Sequence, residues 1–387
     1  MKVLFIVQGE GRGHLTQAIT VERMLRQRGH EVVEVLVGKS NSRQLPAFFE
    51  RSIHAPVRRF DSPNFLPAPA GKRNTLPKTI AVNLLKTPIF VRSVFFLSER
   101  IRKSGADLVV NFYEMLTGFA YLLLRPRVPQ VSIGHQYLFL HEGFEFPKTH
   151  DRTSLLLLRL FTRITSMGAR ERLALSFRPM MDDERHRVCV VPPLLREEVM
   201  AAKPSQGDYI HGYMVNAGFG QSVEQWHREH PKWPLRFFWD KKGAPELTRV
   251  DDTLSFHTIS DTAFLQSLAG CRAYATTAGF ESVCEAMFLG KPVLMVPAHV
   301  EQDCNAFDAE RSGAGIVASD FDLGMLTSFA QSYRPDASFQ TWARSCPERL
   351  MARFLRAVQP KQEEPFSLSG LLHTTYSRYI IGELLRI

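Results

Sequence analysis

His14 ends the run Gly9-Glu10-Gly11-Arg12-Gly13-His14, which follows the apolar segment 2–7 after Gln8. Glycines there let the backbone turn tightly, and the free N–H groups of a following helix can face an anion or an oxygen-rich ligand. An imidazole at that point is placed to take a proton from a reacting hydroxyl. A ring that caps the helix or binds backbone is the competing reading. Gly11, Arg12 and Gly13 form the loop beside it. The dinucleotide fingerprint asks for glycine where His14 stands, and for an acid closing the next strand at ribose-binding spacing. Both are missing, and no cofactor is expected.

Two further turns carry similar chemistry. Asn216-Ala-Gly218-Phe-Gly220 repeats the strand–glycine–helix pattern, so two such turns, one per domain, would face each other across a cleft. The third segment is richer. It runs Thr276-Thr277-Ala278-Gly279-Phe280-Glu281-Ser282, then Glu285, Gly290-Lys-Pro292, Pro297, Glu301-Gln302 and Asn305-Ala306. Thr277 and Gly279 precede a helix whose N–H groups and dipole favour a pyrophosphate. Glu285, one turn in, can accept two hydrogen bonds from ribose hydroxyls. Ser282-x-x-Glu285 also spells a capping box, and spacing alone does not choose between cap and ligand.

These turns need strands and helices to hold them. Segments 2–7, 31–37, 107–111 and 130–133 read as buried parallel strands, with helices after the first glycine turn and over 116–124. The alternation restarts at 209–215, with strands at 235–239, 254–259, 273–275 and 292–296 and a helix near 281–289. That predicts an α/β chain with two Rossmann-like domains in tandem. Val190–Leu195, with two adjacent prolines, reads as the hinge. The domains are set at 1–193 and 194–360, followed by a helical tail, 361–387, expected to pack back on the first domain.

The chain has 387 residues, and 44% of them are hydrophobic, enough for two cores and too many for a disordered chain. Residues 1–195 hold 29 Lys and Arg against 16 Asp and Glu, whereas the remainder is slightly acidic. The first half is therefore expected to meet something anionic. Five widely spaced cysteines without a CxxC argue against a disulfide framework or zinc ribbon and for a reducing cytoplasm. Segment 1–7 is too short for a signal peptide, and no apolar run reaches membrane-spanning length.

Segment 276–306 resembles the donor-binding signature of GT-B glycosyltransferases. It is similar to the peptidoglycan-precursor N-acetylglucosaminyltransferase and to the plant UDP-sugar transferases, whose HCGWNS…E…P…DQ pattern here reads TAGFES…E…P…EQ. GEGRGHLTQA resembles the glycine-rich, His-ending loop of the same superfamily, in a bacterial and archaeal branch. The resemblance implies that Glu285 binds the ribose of a nucleotide-sugar and that Thr277, Ala278 and Gly279 hold its diphosphate. It places Glu301 and Gln302 at the sugar hydroxyls and makes His14 the base. Gly218, Gly220, His257 and Glu281 are taken with the donor set. The Asp that polarises the plant base is Phe112 here, with Glu114 as its candidate replacement.

The expected activity is an inverting, metal-independent transfer from a nucleotide diphosphate sugar, UDP favoured by resemblance, to an acceptor hydroxyl. Asp320-Phe-Asp322 spells DxD but lies late, among turn residues, and reads as a helix cap. A sugar-nucleotide epimerase or hydrolase on the same fold is the alternative; a non-catalytic anion- or nucleic-acid-binding protein is the alternative of another class. Basic residues interleaved with Leu and Phe, without glycine-aromatic RNA motifs, speak against nucleic acid. In 72–103 eight basic residues face one acid, Glu99, among Leu84, Leu85, Ile89, Phe90, Val94, Phe95, Phe96 and Leu97. Leu155–Leu158, with Arg152, Arg159 and Arg163, repeats the theme. This pattern predicts peripheral binding to an anionic membrane and a lipid-linked acceptor, unless the apolar residues pack the core.

Overall fold

Val3 to Val7 are wholly buried, which a strand achieves only when both faces of its sheet are covered. In the computed structural model, which describes residues 1–39, 45–63, 86–148, 151–215, 217–241 and 243–360, that strand is β1 (Lys2–Gln8), an interior strand of a seven-stranded sheet. It is joined by β2 (Glu31–Lys39), β3 (Val57–Asp61), β4 (Leu108–Phe112), β5 (Gln130–Gly134), β6 (Glu171–Leu175) and β7 (Val188–Val191). The order is β3-β2-β1-β4-β5-β6-β7, all parallel. Its helices are α1 (Arg12–Gln27), α2 (Ala47–Ser52), α3 (Thr87–Lys103), α4 (Met115–Leu124) and α5 (Arg152–Thr165). Alternation along β1 feeds two layers: Val3, Phe5 and Val7 pack with Leu15 and Val21 of α1. Leu4 and Ile6 pack with Val94, Leu97, Ile101 and Leu116 of α3 and α4.

After α6 (Glu197–Ala201) a second sheet forms from β8 (Ile210–Met214), β9 (Leu235–Trp239), β10 (Leu247–Arg249), β11 (Leu254–Thr258), β12 (Ala273–Thr276), β13 (Val293–Met295) and β14 (Gly315–Val317). The order is β10-β11-β9-β8-β12-β13-β14, with only β10 antiparallel. Its helices are α7 (Gly220–Glu229), α8 (Asp261–Gly270), α9 (Phe280–Phe288), α10 (Val300–Arg311), α11 (Leu323–Ser332), α12 (Ala337–Arg344) and α13 (Cys346–Val358). Strand order reverses between β1 and β4 in the first sheet and between β8 and β12 in the second. In open α/β sheets ligands bind outside the carboxyl ends of strands at such switch points.

The expected hinge 190–195 is buried along its length. Its prolines lie under the last helix, where the Cys346 thiol reaches the Pro192 carbonyl at 3.5 Å. α13 itself crosses back onto β4, β5 and β7. Arg28 holds Glu348 at 3.0 Å, and Arg170 donates to the carbonyls of Ala357 and Gln359 at 2.5 and 2.6 Å. The return to the first domain is thus made by 346–358; the tail 361–387 lies outside the described residues, as do Lys72, Arg73, Lys78, Leu84, Leu85 and Asn216. The five cysteines are free and buried. Among the described residues no helix is long and apolar enough to cross a membrane.

Candidate active site

Gln8, at the end of β1, shapes the first turn: its side-chain Oε1 accepts from Glu10 N and Gly11 N at 3.2 and 3.3 Å. Helix α1 then starts from Gly11 without a side-chain cap, so His14 does not cap it. Instead the His14 ring stacks on Tyr113, centroids 5.4 Å apart, and its Nδ1 meets Gln17 Oε1 at 3.3 Å. Burial pushes its pKa down to about 4, so the ring is neutral at pH 7. Tyr113 has a left-handed backbone, φ 62°, in the β4–α4 turn, and its hydroxyl pairs with Thr162 at 2.6 Å. The two turns of the first switch point therefore meet at His14.

The second domain brings α9 and α10 against them. Glu281 accepts from Gln17 Nε2 at 2.5 Å, and Glu301 accepts from Gln136 Nε2 at 2.9 Å. Gly13 is required by this closeness: a Cβ on it would stand 2.6 Å from Glu281 Oε2. Burial, then the neighbouring carboxylates of Glu301 and Glu285, pushes Glu281 up to about 7. Burial also raises Glu301. Arg12 reaches Asp261 of α8 at 3.9 Å.

The loop 277–279 is tied to the elements on either side of it. Thr277 Oγ1 accepts from Val215 N at 3.1 Å, tying the ends of β8 and β12 together. This sets the turn carrying Gly218 and Gly220 beside Thr277. Ala278 sits at φ 60°, a strained conformation for a residue with a Cβ, and its carbonyl accepts from Asn305 at 3.4 Å. Gly279 is the N-cap of α9, which has no side-chain cap. Ser282 lies inside the helix and donates back to the Gly279 carbonyl, so of the two readings left open by the spacing the capping box does not form. Glu285 is clamped by Arg196 through two bonds of 2.7 and 2.9 Å.

Other expected site residues lie elsewhere or are already engaged. Glu114 does not support His14: its carboxylate caps α4, accepting from Leu116 N at 3.1 Å and Ser62 Oγ at 2.6 Å. It sits so close to Gly38 that a Cβ there would be 2.2 Å from Oε2, and burial pushes it up to about 7. His257 is three strands from β12 and contacts Ser255 and Phe238. The Gln302 carbonyl oxygen accepts from Ala298 N at 2.9 Å, leaving only its amide N–H groups for a ligand. Asp322 caps α11, accepting from Met325 N at 3.1 Å. Outside this set Glu142, Asp183 and His186 bring ligand atoms within 4.8 Å of one another. There Asp183 already accepts from two backbone N–H groups and pairs with the His186 ring. Tyr113, Gln136 and Arg196 join the site without any sequence motif announcing them, and Gln17, which lies inside GEGRGHLTQA, joins it without having been singled out there.

Two Rossmann-like domains, switch point to switch point, with a histidine turn opposite a helix start, define a GT-B glycosyltransferase. The chain belongs to glycosyl transferase family 1, whose sequence pattern matches residues 1–333. No curated protein matches it. Among solved structures it is similar to the glycotransferase of kitacinnamycin, 14% identical, TM-score 0.61, covering 92% of this chain and 99% of that one. The calicheamicin glycosyltransferase CalG4 gives 17%, 0.57, 94% and 99%. Arabidopsis thaliana UGT89C1 complexed with UDP-L-rhamnose gives 17%, 0.56, 91% and 98%. At these identities the likeness is one of fold. Family membership makes the chain a glycosyltransferase enzyme and displaces the non-catalytic alternative.

Proposed function

We propose that the enzyme transfers a sugar from a UDP-sugar to an acceptor hydroxyl with inversion, without metal, and with His14 as the base. The observation that carries this reading is the neutral His14 ring on one switch point, joined through Gln17 to the first turn of α9 on the other. A neutral imidazole can take the acceptor proton as its oxygen attacks the anomeric carbon. The bond to the diphosphate oxygen breaks with both electrons going to the leaving group. The uncapped N-terminus of α9 and the hydroxyl of Thr277 would stabilise that charge. UDP is favoured by two neighbours whose structures hold UDP-L-rhamnose and UDP.

The acceptor reading is a lipid-linked hydroxyl at an anionic membrane surface. Its support is a row of adjacent helices: α3 exposes Ile89, Val91 and Phe95, α4 exposes Leu123 and α5 exposes Leu156. Arg92 is exposed on the same helix as Phe95, which edges an open depression with Glu99, Arg102 and Lys103.

The donor reading is tested by thermal unfolding with UDP, other nucleoside diphosphates and their sugars. A ligand of the folded state at 100 times its Kd adds about 2.7 kcal/mol. UDP should raise the melting point above ADP or GDP, EDTA should leave turnover unchanged, and equal shifts for all nucleotides would remove the uridine reading. Donor consumed at full rate without acceptor would favour the hydrolase or epimerase.

A further inference from the structure

We infer that the carboxylate orienting His14 is Glu281 of the opposite domain, acting through the side-chain amide of Gln17. The inference rests on the reading of His14 as the base. A base of this kind needs its Nδ1 protonated, so that Nε2 carries the lone pair, and a hydrogen-bond acceptor at Nδ1 to hold that tautomer. The resemblance implies a carboxylate from the first domain at this point, but Phe112 stands there, and Glu114 accepts from Ser62 and Leu116 through Oε1 and makes no hydrogen bond to His14. Gln17 fills the gap with a fixed polarity. An ionised Glu281 only accepts, so the Gln17 NH2 must face it, at 2.5 Å. The Gln17 carbonyl is then turned to His14 Nδ1, at 3.3 Å, and can only accept from it. Among the described residues Nε2 makes no hydrogen bond. Gln17 is 1% exposed, so water does not compete for either end.

The bridge crosses from α1 to α9, the helix whose start belongs to the donor site. The base is therefore set only while the two domains are closed against each other. Gly13 allows this approach, since any side chain there would meet the Glu281 carboxylate. The titratable groups around Glu281 are Cys284 and Glu285 on its own helix and Glu301 from α10, while on the α1 side the Gln17 amide stands between it and His14. Arg196 donates two hydrogen bonds to Glu285. Burial and the two carboxylates together hold Glu281 near 7, so the bridge is complete in mildly alkaline solution and fades below neutrality.

The test is ¹⁵N NMR of the full chain labelled at histidine, with His14→Gln used to assign the ring. At pH 8 the wild type should show His14 as the Nδ1–H tautomer, a pattern that weakens by pH 6. Gln17→Leu should lose that pattern, and Glu281→Gln should lose its dependence on pH. Both variants should lower turnover of UDP-glucose roughly 10- to 100-fold with little change in KM, a smaller loss than removal of the ring itself. An unchanged His14 pattern in Gln17→Leu overturns the bridge. An unchanged pH dependence in Glu281→Gln overturns the carboxylate's part in it. The ring measurement uses neither donor nor acceptor. Failure of the transfer reading is a separate result: His14→Ala turning over UDP-glucose at the wild-type rate.

Discussion

A buried imidazole and a buried carboxylate respond to acid in opposite senses, and this molecule sets both side by side. Burial lowers His14 and His135 from 6.5 to about 4 and His211 to about 3. Their folded pKa lies below the unfolded one, so the unfolded chain takes up protons first as pH falls. These rings therefore cost stability progressively from about pH 6.5 down to 4. Glu114 and Glu281 are raised from 4.5 to about 7. Their stabilising effect is fully present below 4.5 and is lost as pH rises through 7. Glu281→Gln should therefore be more stable than wild type at pH 8, with the gap closing towards pH 4.5, measured as urea midpoints across that range. For catalysis the neutral ring is the useful form. His14→Ala should lower turnover by roughly 10²- to 10⁴-fold while leaving UDP affinity unchanged by calorimetry. Wild-type turnover in that variant would remove His14 from the chemistry.

At the scale of elements, α9 shows why one sequence pattern supported two readings. Ser282-x-x-Glu285 has capping-box spacing, but the helix starts at Phe280, so Ser282 is already in its first turn and Glu285 points to Arg196. Removing one partner of such a buried pair costs about 3–5 kcal/mol, whereas removing both costs much less. Glu285→Ala should destabilise on that scale, and adding Arg196→Met should recover most of it in a double-mutant cycle read by urea unfolding. UDP binding separates the ligand role: it should stay weaker by about 1.5–3 kcal/mol in the double variant. Full recovery of UDP affinity would leave Glu285 a purely structural partner. Strands read at 2–7 and 273–275 were legible because a doubly covered parallel strand is almost wholly apolar. β6 was not: it begins Glu171-Arg172, and those charges are buried only because Ser166 and the His186 carbonyl receive Arg172 and α13 brings Arg353 and Arg356 to Glu171. Gln17 and Glu281 are 264 residues apart, and Arg196 and Glu285 89, so no local pattern could pair them. The glycine turn after β1 and the turn before α9 were legible as strand-to-helix turns because a tight turn and a helix start constrain residue type locally.

At the scale of the whole molecule, the excess of basic residues lies in the domain that would carry the acceptor. The structure divides the predicted membrane patch. Val94 and Leu97 pack the core behind α3, Arg100 is held by Glu34 through paired bonds, and Lys103 pairs with Glu99. What remains outside is Phe95, 59% exposed, with Val91, Ile89 and Arg92, and beyond it Leu123 and Leu156 on the two neighbouring helices. Scattered single apolar residues on a surface are ordinary, but exposed ones on three side-by-side helices, with Arg92 exposed among those of α3, suit an anionic bilayer. Each basic residue near such a surface is worth about 1 kcal/mol, roughly five-fold in partitioning, within a Debye length of about 8–10 Å. The protein should co-sediment with phosphatidylglycerol vesicles at low salt and be released at roughly 0.5 M salt, beyond the range of those charges. Arg92→Glu, an exposed position outside the candidate site, should weaken binding by more than five-fold because it replaces attraction with repulsion. Phe95→Asp should weaken it further while leaving UDP binding intact. Equal recovery in the supernatant with neutral and anionic vesicles would point instead to a water-soluble acceptor, and the basic surface of the first domain would then be a solvated face.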